Sequence, residues 1–112
     1  MPFAELSEFD FHKRLAATPG IAIVMFSGPD CGACKRLEKN LPEWLSGHVD
    51  HLFKIDAQRS TALTRAYEVF HLPSLFVFVN GHYHAPLQAE AAPAPLIDAL
   101  RRLLTEPAHE EP

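Results

Sequence analysis

Cys31-Gly32-Ala33-Cys34 holds the only two cysteines of the chain, two residues apart. A disulfide framework would use more cysteines at longer spacings, and a structural zinc site commonly needs two such pairs. A single Cys-x-x-Cys in a chain expected to be cytoplasmic points instead to redox chemistry. The pair follows a buried apolar run and opens a helix, so Cys31 is expected in the first turn, where free amides and the helix dipole favour a thiolate. The thiolate is the attacking species in disulfide exchange. Lys35, four residues on, and the adjoining Arg36 would lower its pKa further. Cys34, one turn deeper, is placed to resolve a mixed disulfide, since one helical turn brings two sulfurs within bonding range.

The other chemistry-bearing side chains are scattered. His71 precedes Pro73 by two residues and is expected near the cysteines, as an acid–base group or a third metal ligand. Against both stands the plainer reading of a solvated loop histidine. His82 and His84 share one side of a strand, a spacing that fits a polar edge better than a metal site. Trp44 and Tyr67 read as core or rim packing, and His48 and His51 as an exposed helix end.

The elements that must position the cysteines follow from apolar periodicity. A first helix is expected over residues 5–17, with Phe9, Phe11 and Leu15 inward, closed by Thr18-Pro19-Gly20. Ile21–Phe26 is a continuous apolar run, as in a strand buried on both faces. Ser27-Gly28-Pro29-Asp30 breaks it, with Asp30 as the expected N-cap of the cysteine helix. Leu37 and Leu41 continue the apolar face begun by Cys34, until Pro42 imposes a kink or a restart. Leu52–Asp56 is a second strand, and residues 60–70 a helix with Leu63, Ala66, Tyr67 and Phe70 on one face, capped by Ser60 or Thr61. Leu75–Val79 is a buried strand that Asn80-Gly81 turns back into a hairpin, and Leu96, Ala99, Leu100 and Leu103 mark a last helix. Strands joined by helical crossovers run parallel, and the hairpin adds an antiparallel edge. The fold class is therefore α/β: a three-layer α/β/α sandwich with a mixed four-stranded sheet.

With 112 residues, 47% hydrophobic and 21% charged, the chain suits one globular domain over residues 1–105, and the acidic stretch 106–112 is expected to be disordered. A net charge of −4 without a basic cluster argues against nucleic acid as a partner. The apolar runs fall well short of the roughly 20 residues that cross a bilayer. Glu5, Glu8 and Asp10 stand where a secretory leader would be basic and apolar, hence the expected cytoplasmic location.

Taken together, these residues resemble the thioredoxin family. The matching elements are a buried strand followed by Cys31-Gly32-Ala33-Cys34-Lys35, Tyr67, the step Leu72-Pro73-Ser74-Leu75, and Asn80-Gly81, over about Leu6 to Leu104. The resemblance implies the thioredoxin-like fold, a cis Leu72–Pro73 bond facing the cysteines, and backbone groups around Leu72 that pair with an extended substrate. Leu72, Pro73, Gly32 and Ala33 would then form the substrate-binding surface. Five features depart from the family pattern: Asp30 where a Trp usually precedes the first cysteine, Met25 where a buried acid serves the second, Leu52 in place of a lysine, Gly-Ala rather than Gly-Pro between the cysteines, and a helical proline, Pro42, later than the family's usual one.

The function so read is a thiol–disulfide oxidoreductase contributing to redox homeostasis. Cys31 and Cys34 are its catalytic pair and Lys35 and His71 supporting groups, with no cofactor and no metal. Its partners are a disulfide-containing protein substrate and an external reductase or thiol donor. Two alternatives are an adaptor of the same fold with little redox activity, and a metal-binding protein using Cys31, Cys34 and His71.

Overall fold

A computed structural model describes the chain from Met1 to Pro112. Its elements, in order, are β1 (Ala4–Leu6), α1 (Phe11–Ala16), β2 (Ile21–Ser27), α2 (Gly32–Trp44), β3 (His51–Asp56), α3 (Thr61–Ala66), β4 (Ser74–Val79), β5 (His82–Leu87) and α4 (Pro93–Leu104). The strands form one sheet in the order β1-β3-β2-β4-β5. β1 and β2 both run parallel to β3, whereas β4 runs antiparallel to β2 and to β5.

The expected four strands are thus five. The error lies in the segment read as the start of the first helix: Ala4-Glu5-Leu6 pairs with Phe53-Lys54-Ile55 at the edge of the sheet. Three residues are too few to carry a strand period, and nonlocal pairing overrides their local propensity. Helix α1 then begins only at Phe11, after a turn in which the Ser7 amide donates to the Asp10 carboxylate at 2.7 Å. Phe9 falls in that turn and is 89% exposed instead of buried.

Two apolar layers cover the sheet. On one face Phe11, Leu15, Phe26, Leu63, Tyr67, Phe76, Phe78 and Tyr83 pack beneath α1 and α3, and most aromatic pairs meet edge to face, as between Phe11 and Phe78 or Tyr67 and Phe76. On the other face α2 and α4 close over Ile23, Met25, Leu52 and Val77. Helix α2 continues through Pro42 to Trp44 without the expected restart; the proline stands near its C-terminal end, where little helix remains to disrupt.

Helix α3 is shorter than its periodicity suggests. Glu68 adopts a left-handed φ of 53°, while its amide bonds to the Arg65 carbonyl at 3.0 Å and the Val69 amide reaches back to Thr64 at 3.1 Å. These are the paired bonds of a Schellman motif, which ends the helix at Tyr67. Phe70, expected on the inner face, is consequently 90% exposed. At the other end Ser60 caps nothing with its own side chain. Its hydroxyl accepts from the Glu8 amide at 3.1 Å, and the Glu8 carboxylate accepts from the Ala62 amide at 3.1 Å, so the free amides are met from across the chain.

The β4–β5 hairpin turns at Asn80 and Gly81, with φ of 50° and 83°. Both values are positive, as a two-residue primed turn requires. A Cβ on Gly81 would stand 2.7 Å from the Leu15 carbonyl oxygen and 3.0 Å from the Ala16 Cα. Gly81→Ala is therefore expected to lower stability by more than about 1 kcal/mol, read from the urea midpoint. Met25 is fully buried and packs within the layer under α2. A carboxylate placed there has no cation in that apolar layer, so Met25→Asp is expected to cost about 3–5 kcal/mol in the same measurement, whereas Met25→Leu stays within about 1.5 kcal/mol.

Candidate functional site

Strand β2 carries the chain out of the sheet at Ser27, and Gly28-Pro29-Asp30 turns it into α2. The Cys31 amide closes that turn on the Gly28 carbonyl at 3.4 Å. Cys31 itself is extended (φ −103°, ψ 103°) and is the N-cap: its Sγ accepts from the Cys34 amide at 3.1 Å. The cap is thus one residue later than expected and is sulfur, not the Asp30 carboxylate. The sulfur therefore takes one of the free amides of the first turn and lies at the positive end of the helix dipole.

Cys31 and Cys34 are joined in a disulfide, with Cα atoms 5.2 Å apart. They are not equivalent: Cys31 is half-buried, while Cys34 is 1% exposed and shares the inner face of α2 with Leu37 and Leu41. An attacking group from outside can reach the first sulfur and not the second.

The Leu72–Pro73 bond is cis, and its loop lies against the cysteine turn. A Cβ on Gly28 would be 3.0 Å from Leu72 Cδ1, so any larger residue there would make the Leu72 side chain shift. Ser74 secures the loop by donating its hydroxyl to the His71 carbonyl at 2.8 Å. Pro73 and His71 line a groove of about 830 Å³ together with Gly32, Ala33 and Arg36. The groove continues over Phe70, Tyr67 and Tyr83 towards β5.

The structure therefore gathers Gly32, Ala33, His71 and Pro73 onto one concave surface beside the disulfide, with Leu72 packed behind it. It places Lys35 elsewhere. That side chain borders a second cleft, of about 190 Å³, whose walls include Glu38, Lys54 and Asp56. There Lys54 Nζ holds Glu38 Oε2 at 3.0 Å. Arg36, in contrast, faces the groove. No cluster of three or more His, Cys, Asp or Glu side chains that could hold a metal ion is present. His84, paired with His82 on sequence, instead donates from Nε2 to the Leu103 carbonyl at 2.6 Å.

Periodicity did not point to Phe70, Tyr67 and Tyr83 as groove residues. Phe70 becomes available only because the helix ends three residues earlier. Tyr67 and Tyr83 contribute rings to the core and edges to the groove. Burial first, then the Glu111 carboxylate that accepts from the Tyr67 hydroxyl, pushes the Tyr67 phenol far above its usual value. Burial, then Glu111, raises the Tyr83 phenol as well. Both rings stay neutral wherever thiols titrate.

Residues 2–102 match the Thioredoxin family. The chain is 36% identical over 96 residues to protein disulfide-isomerase A3 of Gallus gallus, a match covering 77% of this chain and 18% of that protein. It is 30% identical over 84 residues to a thioredoxin of Staphylococcus epidermidis, covering 72% of this chain and 78% of the relative. In structure it resembles the reduced thioredoxin pre-protein of Schistosoma mansoni, with a TM-score of 0.76 at 20% identity over 92% of this chain and 99% of the other. Human ERp44 in its zinc-bound form gives a TM-score of 0.73 at 17% identity, over 89% of this chain and 31% of the other. The chain thus spans less than a fifth of the disulfide isomerase and more than three quarters of the bacterial thioredoxin. Keeping the family's pattern at Cys31, Cys34 and cis-Pro73 while departing from it at Met25, Asp30 and Leu52, the chain belongs to the thioredoxin family.

Proposed function

We propose that this chain is a thiol–disulfide oxidoreductase acting on protein disulfides, with Cys31 as nucleophile and Cys34 as resolving thiol. The observation that carries the reading is the contact of Cys31 Sγ with the Cys34 amide at the mouth of α2, beside a groove and above a buried partner sulfur. In the reduced protein the Cys31 thiolate attacks one sulfur of a substrate disulfide. A Cys31–substrate bond forms, the substrate S–S bond breaks, and the other substrate sulfur leaves as thiolate. Cys34 then gives its proton to a departing substrate thiolate and attacks Cys31 Sγ, which breaks the Cys31–substrate bond, releases the second substrate sulfur and leaves Cys31–Cys34 oxidised. Two electrons pass to the substrate. A dithiol donor or reductase returns them by the reverse exchange, and no cofactor is needed on this chain.

Leu72, Pro73, Gly32 and Ala33 hold the extended substrate across the groove in this scheme, and His71 stands at its rim. A cytoplasmic location belongs to the same reading, supported by the thioredoxin relatives, although disulfide isomerases stand beside them. No helix of the chain is long and apolar enough to cross a membrane.

The test is reduction of a protein disulfide in the presence of dithiothreitol, against dithiothreitol alone. The chain is expected to exceed that blank; a rate equal to it would remove the oxidoreductase reading in favour of the binding adaptor or the metal-binding protein. Cys31→Ser is expected to fall to the blank. Cys34→Ser is expected to accumulate a covalent complex that mass spectrometry detects and excess thiol releases. Full turnover by Cys31→Ser would overturn the assignment of roles.

A further inference from the structure

The stretch after α4, Glu106-Pro107-Ala108-His109-Glu110-Glu111-Pro112, forms no helix or strand and is exposed along its length. It nevertheless follows a defined path. Leu103, in the last turn of α4, is pinned to β5 by His84 Nε2. Beyond it, the His109 amide donates to the His84 carbonyl at 2.6 Å. β5 is the edge strand of the sheet, and His84 is the residue its pairing with β4 skips between Tyr83 and Ala85, so this bond uses a backbone acceptor that the ladder leaves free. Glu111 then accepts from the Tyr67 hydroxyl, and Pro112 joins the wall of the groove that contains Gly32, Ala33 and Pro73.

The segment therefore starts on the α2–α4 face, crosses the open edge of β5 and ends on the α1–α3 face, where Tyr67 belongs to the aromatic layer. Pro107 and Pro112 fix their own φ and bias Glu106 and Glu111, the residues before them, away from helix. An open strand edge is where an extended peptide adds to a sheet, and the groove between that edge and the cysteines is where the proposed function seats substrate.

We propose that residues 106–112 are a displaceable strap that shuts the β5 and Tyr67 end of the groove against protein substrates, held by the Glu111–Tyr67 and His109–His84 hydrogen bonds. The inference rests on the oxidoreductase reading given above. A folded protein must lay a length of chain through the groove to bring its disulfide to Cys31, and it displaces the strap in doing so. A small disulfide reaches Cys31 from solvent and leaves the strap in place. With two hydrogen bonds and little apolar burial, the strap opens more readily than the strands it crosses, while its bonded His109 amide keeps measurable protection.

The experiment compares the full chain with Glu111→Ala and with His109→Pro, which removes the donating amide. The substrates are insulin, a protein disulfide, and a small aromatic disulfide. Both variants are expected to raise kcat/KM for insulin by about threefold to tenfold, the net worth of one ordinary solvent-exposed hydrogen bond, and to leave the small disulfide unchanged. The double variant should gain little beyond either, because both bonds hold one segment. Amide exchange supplies an independent readout: the residue 109 amide is expected to be protected in the parent chain and to lose protection in Glu111→Ala. Equal kcat/KM ratios in all proteins would overturn the strap, as would an unprotected residue 109 amide in the parent. A parent chain that reduces neither substrate above the thiol blank would instead remove the oxidoreductase reading, and residue 109 protection would then report on the strap alone.

Discussion

The site depends on the free amides at the start of α2 and on what accepts from them. A helix leaves its first N–H groups without carbonyl partners, and a side chain at the N-cap satisfies one of them. In most helices that side chain is an oxygen acceptor. Here it is Cys31 Sγ, so a structural need of the helix and the chemical need of a nucleophile are met by one atom. A sulfur held there gains more from the amides as a thiolate than as a thiol, because the donor and the helix dipole both favour negative charge. Asp30, exposed in the turn before it, forms no such cap.

The position of that helix follows from the sheet. β2 lies at the centre, buried from Ala22 to Phe26, and its C-terminal end delivers the cysteine turn to one rim of the sheet. β4 runs antiparallel beside it, so the start of β4, with Leu72 and Pro73 just ahead, arrives at the same rim. Phe26 pairs with Ser74 and Met25 with Leu75 in that register. Thus the two loops that form the groove are fixed by the pairing of adjacent strands, and the close approach of Leu72 to Gly28 completes the contact. A one-residue slip would move Phe76 and Phe78 into the layer that holds Leu75 and Val77, and the reverse, so the packing of both faces fixes the register.

Much of this was legible in residue order. The runs Ile21–Phe26 and Leu75–Val79, the cysteine helix, and the Asn80-Gly81 turn carry their information locally, in apolar continuity or in backbone preference. What was not legible depended on distant partners. β1 exists because β3 offers it an edge, and Glu8 caps α3 from more than fifty residues away. Phe70 was misplaced because its spacing from Tyr67 fits a helix that Glu68 in fact ends, and nothing about a glutamate signals a left-handed residue. Among the site residues, Cys31, Gly32, Ala33 and Cys34 are neighbours in residue order and the family resemblance brought Pro73, with His71 beside it, to them, whereas Lys35 and Arg36 were not told apart. Adjacent residues on a helix are about 100° apart around its axis, so one faces the groove and the other the cleft containing Glu38 and Lys54.

The departures at Met25 and Leu52 acquire a physical meaning from the same geometry. Both residues are buried within the apolar layer under α2, so the two sulfurs are not distinguished by a charge beneath them. They are distinguished by hydrogen bonding and burial. Cys31 is reached by solvent and accepts an amide; Cys34 lies with Leu37 and Leu41 on the inner face of α2, where burial disfavours a charged thiolate. These two effects act in opposite directions on the two thiols and set the proposed order of reaction, with Cys31 attacking first and Cys34 second, without a buried acid. An apolar layer in that position also contributes to stability what a buried ion pair would largely spend on desolvation. The difference in reactivity between the cysteines then rests on the N-terminus of α2 for Cys31 and on burial for Cys34.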